Sequence, residues 1–261
     1  MLVAHLKELY HYRDLLTSLA WRDIQVRYRQ TFLGFAWAIA QPLAYMLIFT
    51  VVFAGFGQVS SDGSPYPIFS YTGLVPWTFF ATALGLSANS IAANMSLVKK
   101  IYFPREVFPL GAIMGCLVDF LVASLLVVGL MAIYRVPPKP QLLWLPWLIG
   151  LELGFLISLS LLVSAMNVFY RDIKYIVPLC VQLGMFVTPV IYPVSKVPEH
   201  LRAWYMLNPM AVVVDGVRRV VLYGQTPAMG PLLVSTIFVS LFGVAAYIFF
   251  KRVEVRFADL I

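Results

Sequence analysis

Apolar residues in this chain mostly run on without alternating, and the runs are long. Three stretches carry no charged residue, from Gln30 to Ser61, from Gly63 to Val98 and from Val220 to Phe250. Each exceeds the ~20 apolar residues that an α-helix, rising ~1.5 Å per residue, needs to cross a bilayer core of about 30 Å. The pattern predicts an all-α integral membrane protein with six transmembrane helices, near 33–56, 68–93, 107–133, 143–166, 174–193 and 231–250. The third is interrupted only by Asp119 and the fourth only by Glu152. No internal repeat or domain break appears, so residues 1–261 read as a single transmembrane unit.

Three segments do not read as spans. Residues 2–20 place Leu2, Leu6, Leu9, Leu16 and Ala20 at helical spacing, with Lys7, Glu8, His11 and Asp14 elsewhere on the wheel. That predicts an amphipathic helix in the cytosolic interface, within a cytosolic segment of 1–30. Residues 196–224 have apolar runs too short to cross, broken by Asn208-Pro209 and by Asp215, Arg218 and Arg219. They read as short re-entrant helices dipping into the outer leaflet, with Asp215 and Arg219 spaced to pair on one helical face. Residues 94–106 gather Lys99, Lys100, Arg105 and Glu106 around Pro104, with Pro109 just beyond.

Charge gives the orientation. With the amino terminus inside, 13 of the 19 Lys and Arg residues fall in cytosolic segments, and the first external loop, "GQVSSDGSPYP", has none. The positive-inside rule therefore places both termini in the cytosol. Lys7, Glu8, Arg13 and Asp14 precede any long apolar run, which does not fit a cleavable signal peptide.

Composition agrees on class. The chain is 61% hydrophobic with mean hydropathy +0.85, where soluble domains sit near about half apolar. A net charge of +7 raises nucleic acid as a partner. No basic, aromatic surface domain supports it, and orientation signals and lipid head groups account for the charge. Cys116 and Cys180 lie in apolar stretches and read as buried free thiols, and no Cys or His spacing fits a metal site.

The chemistry of an enzyme is missing. A nucleotide-driven pump needs a phosphate cradle of the G-x-x-x-x-G-K-[ST] type, and no Gly-Lys pair exists in this chain. No cofactor is expected here, and ATP with Mg2+ would sit on a partner subunit. An intramembrane hydrolase needs a nucleophile and base, or facing carboxylates. His5, His11 and His200 lie outside the spans, and Asp119 and Glu152 fall at different depths.

Asp119 needs an account, because a carboxylate near mid-bilayer costs at least a few kcal/mol. Gly111, Gly115, Asp119 and Ala123 follow at four-residue spacing and share one face, which another helix can approach closely. Two readings stay open. One is a packing clamp, with Asn89 or Asn94 as partner; the other is a role in coupling or substrate passage.

Seven motifs occur in order: "WRDIQVRYRQTFLGFAWAIAQPL" (21–43), "GLVPWTFF" (73–80), "KKIYFPREVFPL" (99–110), "NVFYRDI" (167–173), "TPVIYPVSKVP" (188–198), "LNPM" (207–210) and "FADLI" (257–261). Together they resemble the membrane subunit of type-2 ABC exporters for polysaccharides, in the O-antigen and teichoic-acid branch. The resemblance implies a homodimer in the bacterial inner membrane with two separate ATP-binding cassette subunits beneath it. It also implies a polyprenyl-pyrophosphate-linked glycan as cargo. The pathway would run between protomers, nearest the first, second and fifth spans.

Residue roles follow from that resemblance. Arg22, Arg27 and Arg29 gather where the interfacial helix meets the first span, either to hold a pyrophosphate at the cytosolic entrance or as ordinary anchoring charges. Tyr45, Phe49, Phe53 and Phe56 on the first span, with Trp77, Phe79 and Phe80 at the outer end of the second, either line a glycan channel or form an interface belt. Lys99, Lys100, Tyr102, Phe103, Pro104, Arg105 and Glu106 correspond to the coupling helix that receives the ATPase stroke.

Overall fold

The computed structural model describes residues 11–29, 34–57, 60–100 and 103–258 of the chain. Among these there is no strand. The helices are α1 (Arg13–Tyr28), α2 (Trp37–Phe49, continued as a π-helix over Thr50–Phe56), α3 (Tyr66–Ala93), α4 (Met95–Lys100) and α5 (Val107–Ile133). They continue with α6 (Leu145–Phe169), α7 (Ile173–Val187), α8 (Glu199–Tyr205), α9 (Pro209–Arg218) and α10 (Met229–Glu254). Residues 2–10 of the expected interfacial helix and 259–261 of the last motif lie outside the described residues.

Among the described residues five helices are long and apolar enough to cross a membrane: Trp37–Phe56, Tyr66–Ala93, Val107–Ile133, Pro140–Phe169 and Met229–Phe257. They match five of the six expected spans. The remaining one, the fifth in order, expected over 174–193, is a 15-residue helix ending at Val187. At ~1.5 Å per residue it reaches about 22 Å, short of a full bilayer core. Pro189 explains where it stops, because the residue before a proline is pushed out of the helical region, and Thr188 is extended.

The ends carry their own local reasons. Pro67, Pro146 and Pro209 stand in the first turns of α3, α6 and α9, where a missing N–H costs nothing. The Asn208 side chain accepts from the Met210 N–H at 3.0 Å and caps α9. Gly224, with φ of +61°, closes the turn after Tyr223 in the left-handed region.

α3 is the axis of the fold. It packs against α2, α5, α6, α7 and α9, and Ile68, Phe69, Tyr71, Leu74 and Ala83 are fully enclosed. Polar side chains stitch it to its neighbours at depth. Tyr71 Oη donates to Ala123 O on α5 at 3.2 Å, and Ser87 Oγ donates to Ser160 Oγ on α6 at 2.7 Å. Lower down, Asn167 Nδ2 donates to Asn89 Oδ1 at 3.3 Å. Hydroxyl and amide contacts of this kind hold helices in register where the apolar effect does not discriminate between neighbours.

Candidate functional site

The glycine face of α5 meets the amino-terminal helix. A Cβ on Gly111 would stand 3.4 Å from Leu19 Cβ, and one on Gly115 would stand 3.0 Å from Arg27 Nη2 and 3.5 Å from Ala20 O. Leu19, Ala20 and Ile24 are the buried side of α1. α1 and α5 thus advance side by side, residue 19 beside 111 and residue 27 beside 115, until both reach Asp119.

Asp119 is held from both sides. Its Oδ2 accepts from Arg27 Nη1 at 2.6 Å, and its Oδ1 accepts from Tyr28 Oη at 2.6 Å. Arg27 Nη1 also approaches Cys116 Sγ at 3.8 Å, and Arg27 Nη2 is buried without a partner. Burial, then the hydrogen bond to Asp119, pushes the Tyr28 phenol up, so it stays a proton donor across the physiological range. A cavity of about 160 Å3 opens beside the cluster, lined by Gln41, Thr78, Thr82 and Phe120 among others. The expected clamp to Asn89 or Asn94 is corrected: Asn89 serves Asn167, and Asn94 Oδ1 accepts from Arg22 Nη1 at 3.0 Å. Tethering α1 to mid-α5 satisfies the carboxylate with a cation, which an amide could not supply.

The three arginines therefore have different surroundings. Arg22 pairs with Asp23 at 2.9 Å, Arg27 is spent on Asp119, and Arg29 is exposed at the end of α1. Arg22 and Arg27 also line a wider cleft between α1 and α3, about 490 Å3, with Asn89 and Asn94 on its far wall.

In the segment 94–106, the side chains of Lys99 and Lys100, and Tyr102 as a whole, lie outside the described residues. Phe103, Pro104 and Glu106 are buried, and Arg105 is half-buried. Phe103 packs against Phe108, with ring centroids 5.3 Å apart, and Glu106 pairs with Lys251 of α10 at 2.8 Å. The motif is anchored inward over its second half.

The aromatics divide likewise. Tyr45 is exposed, and Phe49 and Phe53 stack edge to face at 5.6 Å along α2. Trp77, Phe79 and Phe80 lie near the middle of the 28-residue α3 rather than at its outer end, a correction that follows from its starting at Tyr66. All three are buried, and Phe80 stacks on Phe155 of α6 at 5.7 Å. Trp77 and Phe80 line a largely apolar cavity of about 400 Å3 beneath α7, with Gly184, Thr188 and Cys180. Cys180 is exposed, against the expected buried thiol, because α7 turns only Ile173 and Val177 fully inward.

The expected Asp215–Arg219 pair forms, at 2.6 Å. Its neighbour Arg218, read from sequence only as a break in an apolar run, is 3% exposed. Its guanidinium donates to Phe69 O at 3.1 Å, to Tyr192 O at 3.3 Å, and to Pro189 O and Val190 O at shorter range. It lies 3.7 Å from the Phe69 ring centroid. Burial pulls its pKa down to about 10, which still leaves it cationic at neutral pH. Four carbonyls around one cation pin the turn after α7 to the top of α3.

Two further facts bound the chemistry. Among the described residues no group of three or more His, Cys, Asp or Glu side chains could hold a metal ion. Glu152 is buried on α6 with Oε1 unpartnered, and it does not line the Asp119 cavity. Asp119 and Glu152 therefore do not face each other across one cavity.

Known proteins share this chain over nearly its whole length. It is 32% identical over 98% of its residues, and 98% of the relative's, to a protein of Myxococcus xanthus named O-antigen export system permease protein RfbA. It is 29% identical to a protein of the same name from Klebsiella pneumoniae, over 95% of each chain. To an Escherichia coli protein named polysialic acid transport protein KpsM it is 24% identical, over 88% of this chain and 91% of that one. Residues 14–222 match the family described as ABC-2 type transporter, so a chain with long apolar helices and no nucleotide-binding motif of its own belongs to the membrane-permease family of ABC transporters.

Proposed function

We propose that this chain is the membrane subunit of an ABC exporter that carries a lipid-linked polysaccharide such as O-antigen across the bacterial inner membrane, driven by separate ATPase subunits. The observation that carries it is the identity of 29–32% over nearly the full chain with permeases named for O-antigen export. The working unit is a homodimer with two ATPase subunits, and each protomer crosses six times, the five long helices joined by a crossing through the short α7 and the turn after it, with both termini in the cytosol. Residues 196–224 supply the short external helices. Arg22, which lines the α1–α3 cleft, meets the pyrophosphate at the cytosolic entry, and Arg29, exposed at the end of α1, adds a second charge along its path. Tyr45, Phe49 and Phe53 face the glycan, and residues 94–106 receive the ATPase stroke. The likeness to a polysialic acid transport protein favours a capsule-type glycan as the second reading.

The test is reconstitution with the ATPase subunit in proteoliposomes, offering O-antigen-type and capsule-type lipid-linked glycans side by side. ATP-dependent appearance of glycan in a compartment closed to an added glycosidase supports the reading, and the preferred glycan decides between the two. Transport without the ATPase subunit would sink it.

Docking has its own expected outcome. Lys99→Glu with Lys100→Glu should lower ATPase association and export together by tenfold or more, measured by co-purification and by glycan at the outer face. Arg105 is left in place, since it lies against Phe257 within the protein.

Orientation is checked by labelling. In a Cys180→Ser background, cysteines at Ser61 and Glu199 should react with an impermeant thiol reagent outside spheroplasts, and one at Lys174 should not. Labelling at position 174 would overturn the topology.

A further inference from the structure

The cytosolic segment has two halves that face different ways. Its first half is α4. Its second half turns inward, and Glu106, the residue just before α5, is only 3% exposed. Glu106 Oε1 meets Lys251 Nζ at 2.8 Å, in the last turn of α10. Lys251 pairs again with Glu254 at 3.0 Å, and Tyr247 Oη reaches the same Glu106 oxygen at 3.5 Å. Around this polar centre sits an apolar one. Phe103, Val107 and Phe108 share a buried cluster with Phe250 and Phe257. Arg105 lies 5.7 Å from the Phe257 ring, which packs edge-on against Phe250.

A loop that only returned the chain to the membrane would leave its charges in water. Burying a carboxylate and an ammonium is costly, and what such a pair secures is one geometry rather than much stability. The geometry secured here joins the N-cap of α5 to the end of α10. Among the described residues those two helices do not pack along their lengths, so the clamp is their joint at the cytosolic face. α10 does pack along α6, which in turn packs on α3.

We propose that Glu106 and Lys251 are positioning residues that lock the cytosolic segment to the last span, so that a displacement of α4 by the ATPase subunit reaches α10 as well as α5. The inference rests on the docking reading of residues 94–106. α5 receives the displacement through the continuous chain. α10 is distant in sequence and receives it through the clamp and the apolar cluster around it, of which the clamp is the directional part. Without the clamp the stroke still bends the cytosolic segment, but apolar contacts alone can slide, and the α10–α6 pair lags behind.

The test uses the whole complex, permease with ATPase subunit, in membranes. Lys251→Gln removes the charge at a helix end and keeps a long side chain. It should preserve membrane abundance, co-purification of the ATPase subunit and, within twofold, ATP hydrolysis. Glycan exported per ATP hydrolysed should fall tenfold or more, and Lys251→Arg should restore at least half of it. An unchanged ratio, or a loss of export that only tracks loss of protein, overturns the proposal. If Lys251→Gln does not accumulate, the variant Glu106→Lys, Lys251→Glu, Glu254→Gln decides, since it rebuilds the pair with reversed sign. Recovery of abundance and of the export ratio supports the clamp; recovery of abundance alone, or of neither, overturns it. Failure of the docking reading is seen separately, as normal ATPase association in the Lys99→Glu, Lys100→Glu variant.

Discussion

Arg218→Met should remove most of the folded protein from the membrane, the largest loss expected from any single substitution outside the long spans. Met fills much of the volume but leaves the carbonyls of Pro189, Val190 and Tyr192 without the donor they share, while Phe69 O keeps the hydroxyl of Thr72. Each buried acceptor left unmet costs about 1–3 kcal/mol. The stacking on Phe69 is lost as well, worth about 2 kcal/mol when desolvated. Against a net stability of about 5–15 kcal/mol for a whole domain, that sum is enough to unfold it. Arg218→Lys should recover little, because a point ammonium cannot reach carbonyls spread around a planar fork.

Gly73 provides the control. A Cβ there would strike the Arg218 guanidinium, with Cζ at 3.0 Å and Val190 O at 3.2 Å. Gly73→Ala alone should cost about 1–3 kcal/mol by overpacking. In the Arg218→Met background the same change should cost less, since the flexible thioether yields where the pinned fork cannot. Thermal retention of detergent-purified protein measures all four states. Strict additivity would mean that the two residues do not share the strain and that the clamp is looser than its distances imply.

Arg218 also shows where sequence reading ran out. The spans were legible because a bilayer writes its thickness into run length, and the Asp215–Arg219 pair because helical spacing alone predicts it. Arg218 sits between those two residues and was invisible, since its partners are backbone carbonyls and carry no residue identity. The early end of α7 had a visible signal in Thr188-Pro189, but the apolar run continues past it and favours a longer span. On α5 the glycine face was legible and its partner was not, because periodicity says which side is close-packed and never by what. One signal could have narrowed the choice: an intramembrane carboxylate calls for a cation, and Arg27 stands near the end of α1, where the chain enters the first span. Glu106 misled for the opposite reason. A charge in a polar segment reads as solvated, and only Lys251, far along the chain, turns it inward.

The Arg27–Asp119 pair decides what the intramembrane charge is for. Asp119→Asn should reduce the protein in the membrane, at a cost of about 1–3 kcal/mol, because it strands a largely buried guanidinium. That figure sits below the cost of a fully buried pair, since both side chains keep about a fifth of their exposure, 22% and 19%. Arg27→Gln should cost a similar amount by stranding the carboxylate, although Tyr28 Oη continues to donate to it. Making both changes together removes both stranded charges and leaves two amides able to bond each other. The double variant should therefore recover abundance beyond either single one, a favourable coupling of about 1–3 kcal/mol in the cycle. Export should recover with it. Both oxygens of Asp119 are already engaged, one by Arg27 and one by Tyr28, so the carboxylate offers cargo no free face. Abundance in the membrane and glycan at the outer face, measured on the same four strains, separate the possibilities. Recovery of the protein without export would mean that the charges themselves take part in transport, and the tether between α1 and α5 would then be a moving part rather than a fixed one.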